Sequence, residues 1–385
     1  MAGRVSPIVK HIGAGAICGV RDGCVTTAVH SNLEQEHRCL RQRAGLLDLN
    51  HYAKVKVSGS GAEGLINRVI LTDLARLPVN QLQSSFLLAP DGRPIAEVLV
   101  ANHGGYFLIL SEGVEPADLF DRLFLLARET DAIVVDETES LGLLGLEGPY
   151  SWELLKSFLG IGIIGTRYLE ILEDQSLRNT RFSLYRAGKS GEYGYMLLTS
   201  AAEVHTLWDA LRSEGERFSA LPVGYRTLDL CKLENRFPSQ HQEGSKVANV
   251  LELNTRVLVS RDKGDYAGCA AIQDVIATEL SRRVIGLEFT GSLPADAPSS
   301  PDIGSPISCA GAHIGELVSV GYSYALKRWI ALALVRTAYA YVGLDYAVGT
   351  ANGEQQARTV SAPFLFNLSL KIRPQEDSYF ALQGS

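Results

Sequence analysis

The sequence predicts an α+β protein that ends in an all-β part, and three observations carry that prediction. Strand, helix, hairpin, helix and strand signals succeed one another over residues 53–135, and a similar order recurs over 141–211. A strong turn, Pro90-Asp-Gly-Arg-Pro94, joins two apolar runs in the first of these units. Beyond a stretch rich in Pro, Ser, Asp and Gly at 292–306, only short strand signals remain. Such an order suits helices packed on one face of a sheet.

Residues 32–46 combine dense charge with good helix formers. Asn32 offers an N-cap and Gly45 a stop. Ala53-Lys-Val-Lys-Val57 alternates and reads as a strand, and Ser58-Gly-Ser-Gly61 reads as the turn after it. Residues 62–70 have the spacing of a short amphipathic helix. Residues 84–88 and 95–100 are the arms of the hairpin, followed by a strand at 106–110, a helix at 116–128 and a strand at 132–135. The second unit places strands at 141–146, 183–185 and 195–199 and helices at 150–159 and 202–211. Strands at 331–335 and around Val360 mark the C-terminal part, and the residues from Arg373 onward read as a tail.

Composition narrows the function classes. A chain of 385 residues, 46% hydrophobic and 21% charged, can bury a large core without disulfide or metal staples. Net charge is −7 with no basic block, which argues against a nucleic-acid surface and favours a small-molecule substrate. No apolar run reaches the ~20 residues of a membrane helix. The apolar stretch near the N-terminus is short and broken by glycine, so a cytoplasmic address is expected. The six cysteines form no CxxC pair and read as reduced, mostly buried thiols, and no metal site is expected from their spacing.

Several segments, taken in order, resemble the glycine-cleavage T-protein (aminomethyltransferase) family. Glu36-His37 through Arg41, then Ala44-Gly-Leu-Leu-Asp48-Leu-Asn50-His51, is similar to the family's EH-x-x-x-R and GxxDxSH segment, with Asn50 where serine is usual. Val57-Ser-Gly59, Leu71-Thr-Asp73 and Leu146-Glu-Gly-Pro149 resemble further pieces. Arg186-Ala-Gly-Lys-Ser-Gly-Glu-Tyr-Gly-Tyr195, Asp229-Leu-Cys-Lys-Leu-Glu234 and Lys263-Gly-Asp-Tyr-Ala-Gly268 follow. The resemblance runs from about residue 34 to 365 and is weakest at the C-terminal end.

The resemblance implies three domains around a central cavity, the last of them β-barrel-like. The expected divisions are 1–50 with 136–280, then 51–135, then 281–385. It also implies one-carbon transfer, methyl or aminomethyl, to tetrahydrofolate. A related folate-binding iron–sulfur maintenance group has cysteine directly after Lys-Gly, where this chain has Asp265, so that role is the weaker alternative.

At the site positions the chain departs from the family pattern. The family's essential aspartate falls on Glu97, one methylene longer. Its tyrosine in the glycine-rich segment falls on Lys189, its pterin-binding glutamate on Met196, and its arginine in the L-R-L-E segment on Lys232. Glu97 and Lys189 are therefore the candidate catalytic residues, and Lys232, Met196, Tyr195 and Glu192 the candidate contacts to substrate or folate. Glu97 is either an acid or base of the cavity or a solvated strand residue. Lys189 is an ion-pair partner of Glu192, a binder of a substrate anion, or an amine base or nucleophile. His51 is read as structural rather than as a proton shuttle. Weak tetrahydrofolate binding is expected, and the readings are a divergent transferase that still uses tetrahydrofolate, a folate-free reaction in a specialised pathway, or a binding or assembly protein that kept the fold.

Other motifs carry little. No G-x-S-x-G or P-loop is present. Gly59-x-Gly61-x-x-Gly64 precedes a hairpin rather than a parallel strand, so it reads as a strand-to-helix turn and not a dinucleotide site. Gly188, Gly191 and Gly194 read as turn residues.

Overall fold

A computed structural model describes residues 3–260, 262–291, 294–296 and 300–383. Within the loop read at 292–306, residues 292–293 and 297–299 lie outside the described residues, as does the end of the tail, 384–385.

Two sheets and a barrel make up the frame. The five-stranded sheet runs Gln81–Leu88, Pro94–Asn102, Tyr106–Glu112, Ala53–Ser58, Ile133–Asp136, all antiparallel. The six-stranded sheet runs Ile171–Leu177, Thr180–Tyr185, Gly194–Ser200, Leu141–Glu147, Gly45–Asp48, Leu221–Val223, with only the last pair parallel. Six C-terminal strands between Arg282 and Val360 close into a barrel, as the short strand signals suggest. A small sheet of Arg4–Val5, Cys24–Val29 and Ile17–Arg21 precedes them, in a region where the sequence carries no clear strand period.

Each large sheet has one helix-covered face. Ala96, Val98 and Val100 alternate toward the helices Ala62–Asn67 and Pro116–Ala127, where Leu65, Ile66, Leu119 and Leu123 meet them. Leu144, Leu146, Leu184 and Leu197 likewise meet Trp152 and Trp208 of the helices Ser151–Leu159 and Val204–Gly215. The remaining faces turn toward each other. Leu82, Ala101, Leu108 and Leu110 of one sheet pack with Leu47, Leu143, Met196 and Leu198 of the other. The period of two in Pro94–Asn102 thus sends Glu97 and Leu99 away from the helices and toward the second sheet.

Tertiary packing changes two sequence readings. The first helix is Leu33–Gln42, capped by the Asn32 side chain as expected, but it ends before Gly45. Gly45 opens a strand held between Leu141–Glu147 and Leu221–Val223, and a Cβ there would stand 2.7 Å from both Leu40 and Val223 side chains. The glycine is required for close packing and is no helix stop. The stretch from Arg373 is not a loose tail: Tyr379 is buried against Tyr150, and Glu153 accepts from Ser378 Oγ and from Tyr379 N. Gly59 takes φ 94° in a turn so tight that a Cβ would lie 2.3 Å from the Asp131 carbonyl, in keeping with a strand-to-helix turn. Of the six thiols, all free, Cys24, Cys39 and Cys231 are buried and Cys18 is exposed. Among the described residues no helix is long and apolar enough to cross a membrane.

The segments that carry the family resemblance act as ties. Glu36 accepts from His30 N, Ser31 N, Gly224 N and Thr227 Oγ1. Glu234 accepts from His37 Nε2, Arg41 Nε and Ser323 Oγ, which joins two helices to the barrel. Cys231 lies close to His37 and Glu234 in an arrangement that could face a metal, but the Glu234 oxygens are already committed to Arg41 and its neighbours. Lys263 Nζ donates to the Ile70 and Thr72 carbonyls at 2.6 Å, pinning the linker before the barrel to the five-stranded sheet.

Candidate functional site

Where the two inner sheet faces separate, they leave a cavity of about 130 Å³. Its walls are largely apolar, from Phe86, Leu99, Leu110, Met196 and Phe237. Glu97, Lys189, Tyr52, Ser84 and Tyr168 are its polar side chains.

Glu97 stands directly opposite Glu112 on the neighbouring strand. Two carboxylates at paired positions repel, and Lys189 resolves the conflict. Its Nζ makes an ion pair with Glu97 Oε2 and lies 3.1 Å from Glu112 Oε2. Glu97 Oε1 accepts from Gln240 N at 2.9 Å. Burial opposes the Lys189 charge, yet Glu97, Tyr52 and Glu112 together hold its pKa well above the ordinary lysine value. Lys189 is therefore a cation, and the amine-nucleophile option has no support in this environment.

The glycine-rich segment delivers Lys189. Gly188 and Gly194 pass so closely that a Cβ on Gly188 would stand 2.7 Å from Gly194 Cα. The Lys189 and Ser190 N–H groups both donate to Glu147, a fully buried carboxylate whose pKa burial pushes up. Of the three glycines read as turn residues, only Gly191 takes a positive φ, 86°, while Gly188 and Gly194 are needed for this close approach, which fixes the backbone that carries Lys189.

Behind Lys189 lies a hub that the sequence does not reveal. Glu112 Oε2 accepts from Lys232 Nζ at 2.6 Å and Tyr52 Oη at 3.0 Å, and Oε1 accepts from Arg21 Nη2 at 3.2 Å. Burial alone would raise the Glu112 pKa. Lys232 and Lys189, with His51 and Arg21, instead hold it well below the usual carboxylate range. Arg21 also grips both oxygens of Asp229 at 2.7 and 2.8 Å and lies 4.7 Å over the Tyr225 ring. The only sequence signal for Glu112 is hairpin register: counting outward from the Asn102–Phe107 pair places it opposite Glu97. Arg21 gives no such signal, because its hairpin is built by packing.

The sequence-derived candidates divide. Glu97, Lys189 and Met196 share the cavity wall. Lys232 is 1% exposed and stands behind it, holding Glu112 instead of a ligand. Tyr195 is not a ligand contact: neighbouring residues on a strand face opposite ways, so while Met196 meets the cavity Tyr195 enters the helix-side core under the Arg186 guanidinium. Glu192 is also elsewhere. It accepts from Leu368 N and Ser369 N and lies 3.6 Å from Arg41, so it anchors the segment after the barrel and does not pair with Lys189. His51 is buried, with Nε2 3.8 Å from Glu112 Oε1. Asp265 lines a separate surface groove beside Asp118 and Arg122.

Comparison with known proteins agrees with this frame. Residues 18–263 match the family model described as the GCVT N-terminal domain, and residues 282–365 match the glycine cleavage T-protein C-terminal barrel domain. The chain is 29% identical over 368 residues to an aminomethyltransferase of Symbiobacterium thermophilum, covering 92% of this chain and 95% of the relative. It is 27% identical over 332 residues to an aminomethyltransferase of Streptomyces avermitilis, covering 86% and 88%. The fold is similar to the crystal structure of glycine cleavage system aminomethyltransferase T from Bartonella henselae, with TM-score 0.82 and 19% identity over 94% of this chain and 98% of that one.

Proposed function

Because the chain belongs to the glycine-cleavage T-protein family, we propose that it is a T-protein-type transferase acting on a small substrate in the cavity between its two sheets. The observation that carries the reading is the ion pair of Glu97, on the five-stranded sheet, with Lys189, from the glycine-rich segment between two strands of the other sheet, in a cavity with largely apolar walls. A degenerate site would drift toward small or apolar residues. Here a carboxylate is held in place by a lysine and a backbone N–H, as a group that steers charge or moves a proton must be.

Tetrahydrofolate, the acceptor that the family implies, is a poor match to these residues. A pterin edge presents adjacent N–H donors that suit a carboxylate accepting two hydrogen bonds. Met196 offers a thioether there, and each Glu97 oxygen already takes a donor from the protein. The reading therefore assigns no step to folate and favours a reassigned one-carbon reaction in a specialised pathway. Lys189 orients Glu97, the apolar walls exclude water, and Glu97 faces the reacting group.

A panel of methyl and aminomethyl donors, incubated with the protein with and without tetrahydrofolate and followed by mass spectrometry, tests the reading. Turnover of a donor that Glu97→Gln abolishes supports it. The second reading, a binding protein without turnover, is favoured by the internal pairing of Lys189 and Glu97. It prevails if a panel member binds in the cavity and none is converted.

A further inference from the structure

The polar groups that face the cavity are unbalanced in kind. Lys189 has three donor protons; Glu97 and Glu112 take two, which leaves one for a ligand. Ser84 and Tyr168 add hydroxyls to the cavity lining. The carboxylates, in contrast, already have partners. Each oxygen of Glu97 already has a donor, and Glu112 is withdrawn behind Lys189, with Lys232, Tyr52 and Arg21 around it. Glu97, Glu112 and Asp229 pair with three cations, Lys189, Lys232 and Arg21, and Asp22 stands beside this cluster against His241.

Resting on the same cavity as the proposed substrate site, we infer that it takes a small apolar-bodied compound presenting an oxygen acceptor, carboxylate or carbonyl, to Lys189, and that it rejects amines. An ammonium in this cavity would lie beside the Lys189 ammonium and would reach a carboxylate only by sharing a Glu97 oxygen that already has a donor. A like charge beside it and a carboxylate already paired make its burial unfavourable. An oxygen acceptor meets the third Lys189 proton in a charge-assisted hydrogen bond while its body rests on Phe86, Leu99, Met196 and Phe237. An aminomethyl donor carries the disfavoured amine, so the cavity is set against aminomethyl transfer and open to donors of an uncharged one-carbon group.

Three probes of one shape and different head groups test this: benzoate, benzamide and benzylamine, titrated into the unmodified protein at pH 7.5 by calorimetry. Benzoate and benzamide are expected to bind at least about tenfold more tightly than benzylamine, the smaller end of what a charge-assisted hydrogen bond contributes. In the charge-neutral double variant Lys189→Met with Glu97→Gln, shown to be folded by its melting curve, the advantage of the two oxygen probes disappears. Benzylamine binding as tightly as either, no binding by any of the three, or a preference that survives in the folded double variant would each overturn the inference. If the double variant does not fold, the ranking on the unmodified protein decides alone. The measurement needs no turnover. Probes that bind in the expected order to a protein that transfers nothing leave this inference standing and remove the transferase reading; a converted amine donor does the reverse.

Discussion

Glu97 and Glu112 are register partners on adjacent antiparallel strands, and one ammonium, that of Lys189, lies within ion-pair range of both. The pairing places like charges side by side on the face of a sheet, an arrangement that costs stability without a shared cation. The sheet brings the two carboxylates together; the second sheet supplies what makes that tolerable.

If Glu97 steers charge or protons, Glu97→Gln should keep the fold, because the amide oxygen can still accept from Gln240 N. Turnover should fall ~10²–10⁴-fold, the usual contribution of a positioned acid or base. Steady-state kinetics on a converted donor, beside a melting curve, checks both halves. Unchanged turnover would return Glu97 to the role of a strand residue.

Lys232 is expected to act through Glu112 and not through a ligand. Lys232→Met should destabilise the fold by about 3–5 kcal/mol, because it removes one partner of a buried ion pair. Adding Glu112→Gln should recover part of that loss, since the uncompensated charge is then gone. Urea denaturation of the two single variants and the double variant measures the coupling. Strict additivity would mean that the 2.6 Å contact carries no energy.

Calorimetry with tetrahydrofolate addresses the altered pterin position. Binding by the unmodified protein should be weak or undetectable, because buried N–H donors left without partners cost ~1–3 kcal/mol each. Met196→Glu with Lys189→Tyr should bind more tightly, on the order of 10–100-fold. Tight binding by the unmodified protein would restore the folate-dependent transferase.

Stability should also depend on Glu243, which is buried and whose pKa burial raises from the ordinary 4.5 to about 7. The folded state thus holds this proton more tightly than the unfolded chain. Its contribution is complete below pH 4.5 and is lost as pH rises through about 7, by about 3 kcal/mol. Glu243→Gln keeps an oxygen for Ser239 N and should match the wild type near pH 4.5 but exceed it in stability by pH 8. Urea midpoints at both pH values are the readout, and a difference independent of pH would contradict the burial argument.

Much of the frame is legible along the chain because it depends on local periods. Alternation in Pro94–Asn102, the Pro90–Pro94 turn and the Asn32 cap are properties of a few consecutive residues, and each appears where the sequence places it. Position in the motifs also brings Glu97, Lys189 and Met196 to one wall. The same reasoning misplaces Glu192, Tyr195 and Lys232, since a motif gives the order of residues but not which face of a strand turns inward or what lies behind it.

By itself the sequence determined the α+β frame, the C-terminal barrel and the family, because these rest on periodicity and on motifs in order. The tertiary structure alone decided that Glu112 is the hub, that Arg21 closes it from an N-terminal hairpin, and that Lys189 turns to Glu97 and away from Glu192. The reason is physical. Coulombic pairing depends on distance in space and on the loss of water around the charges, and 92 residues separate Lys189 from its partner along the chain.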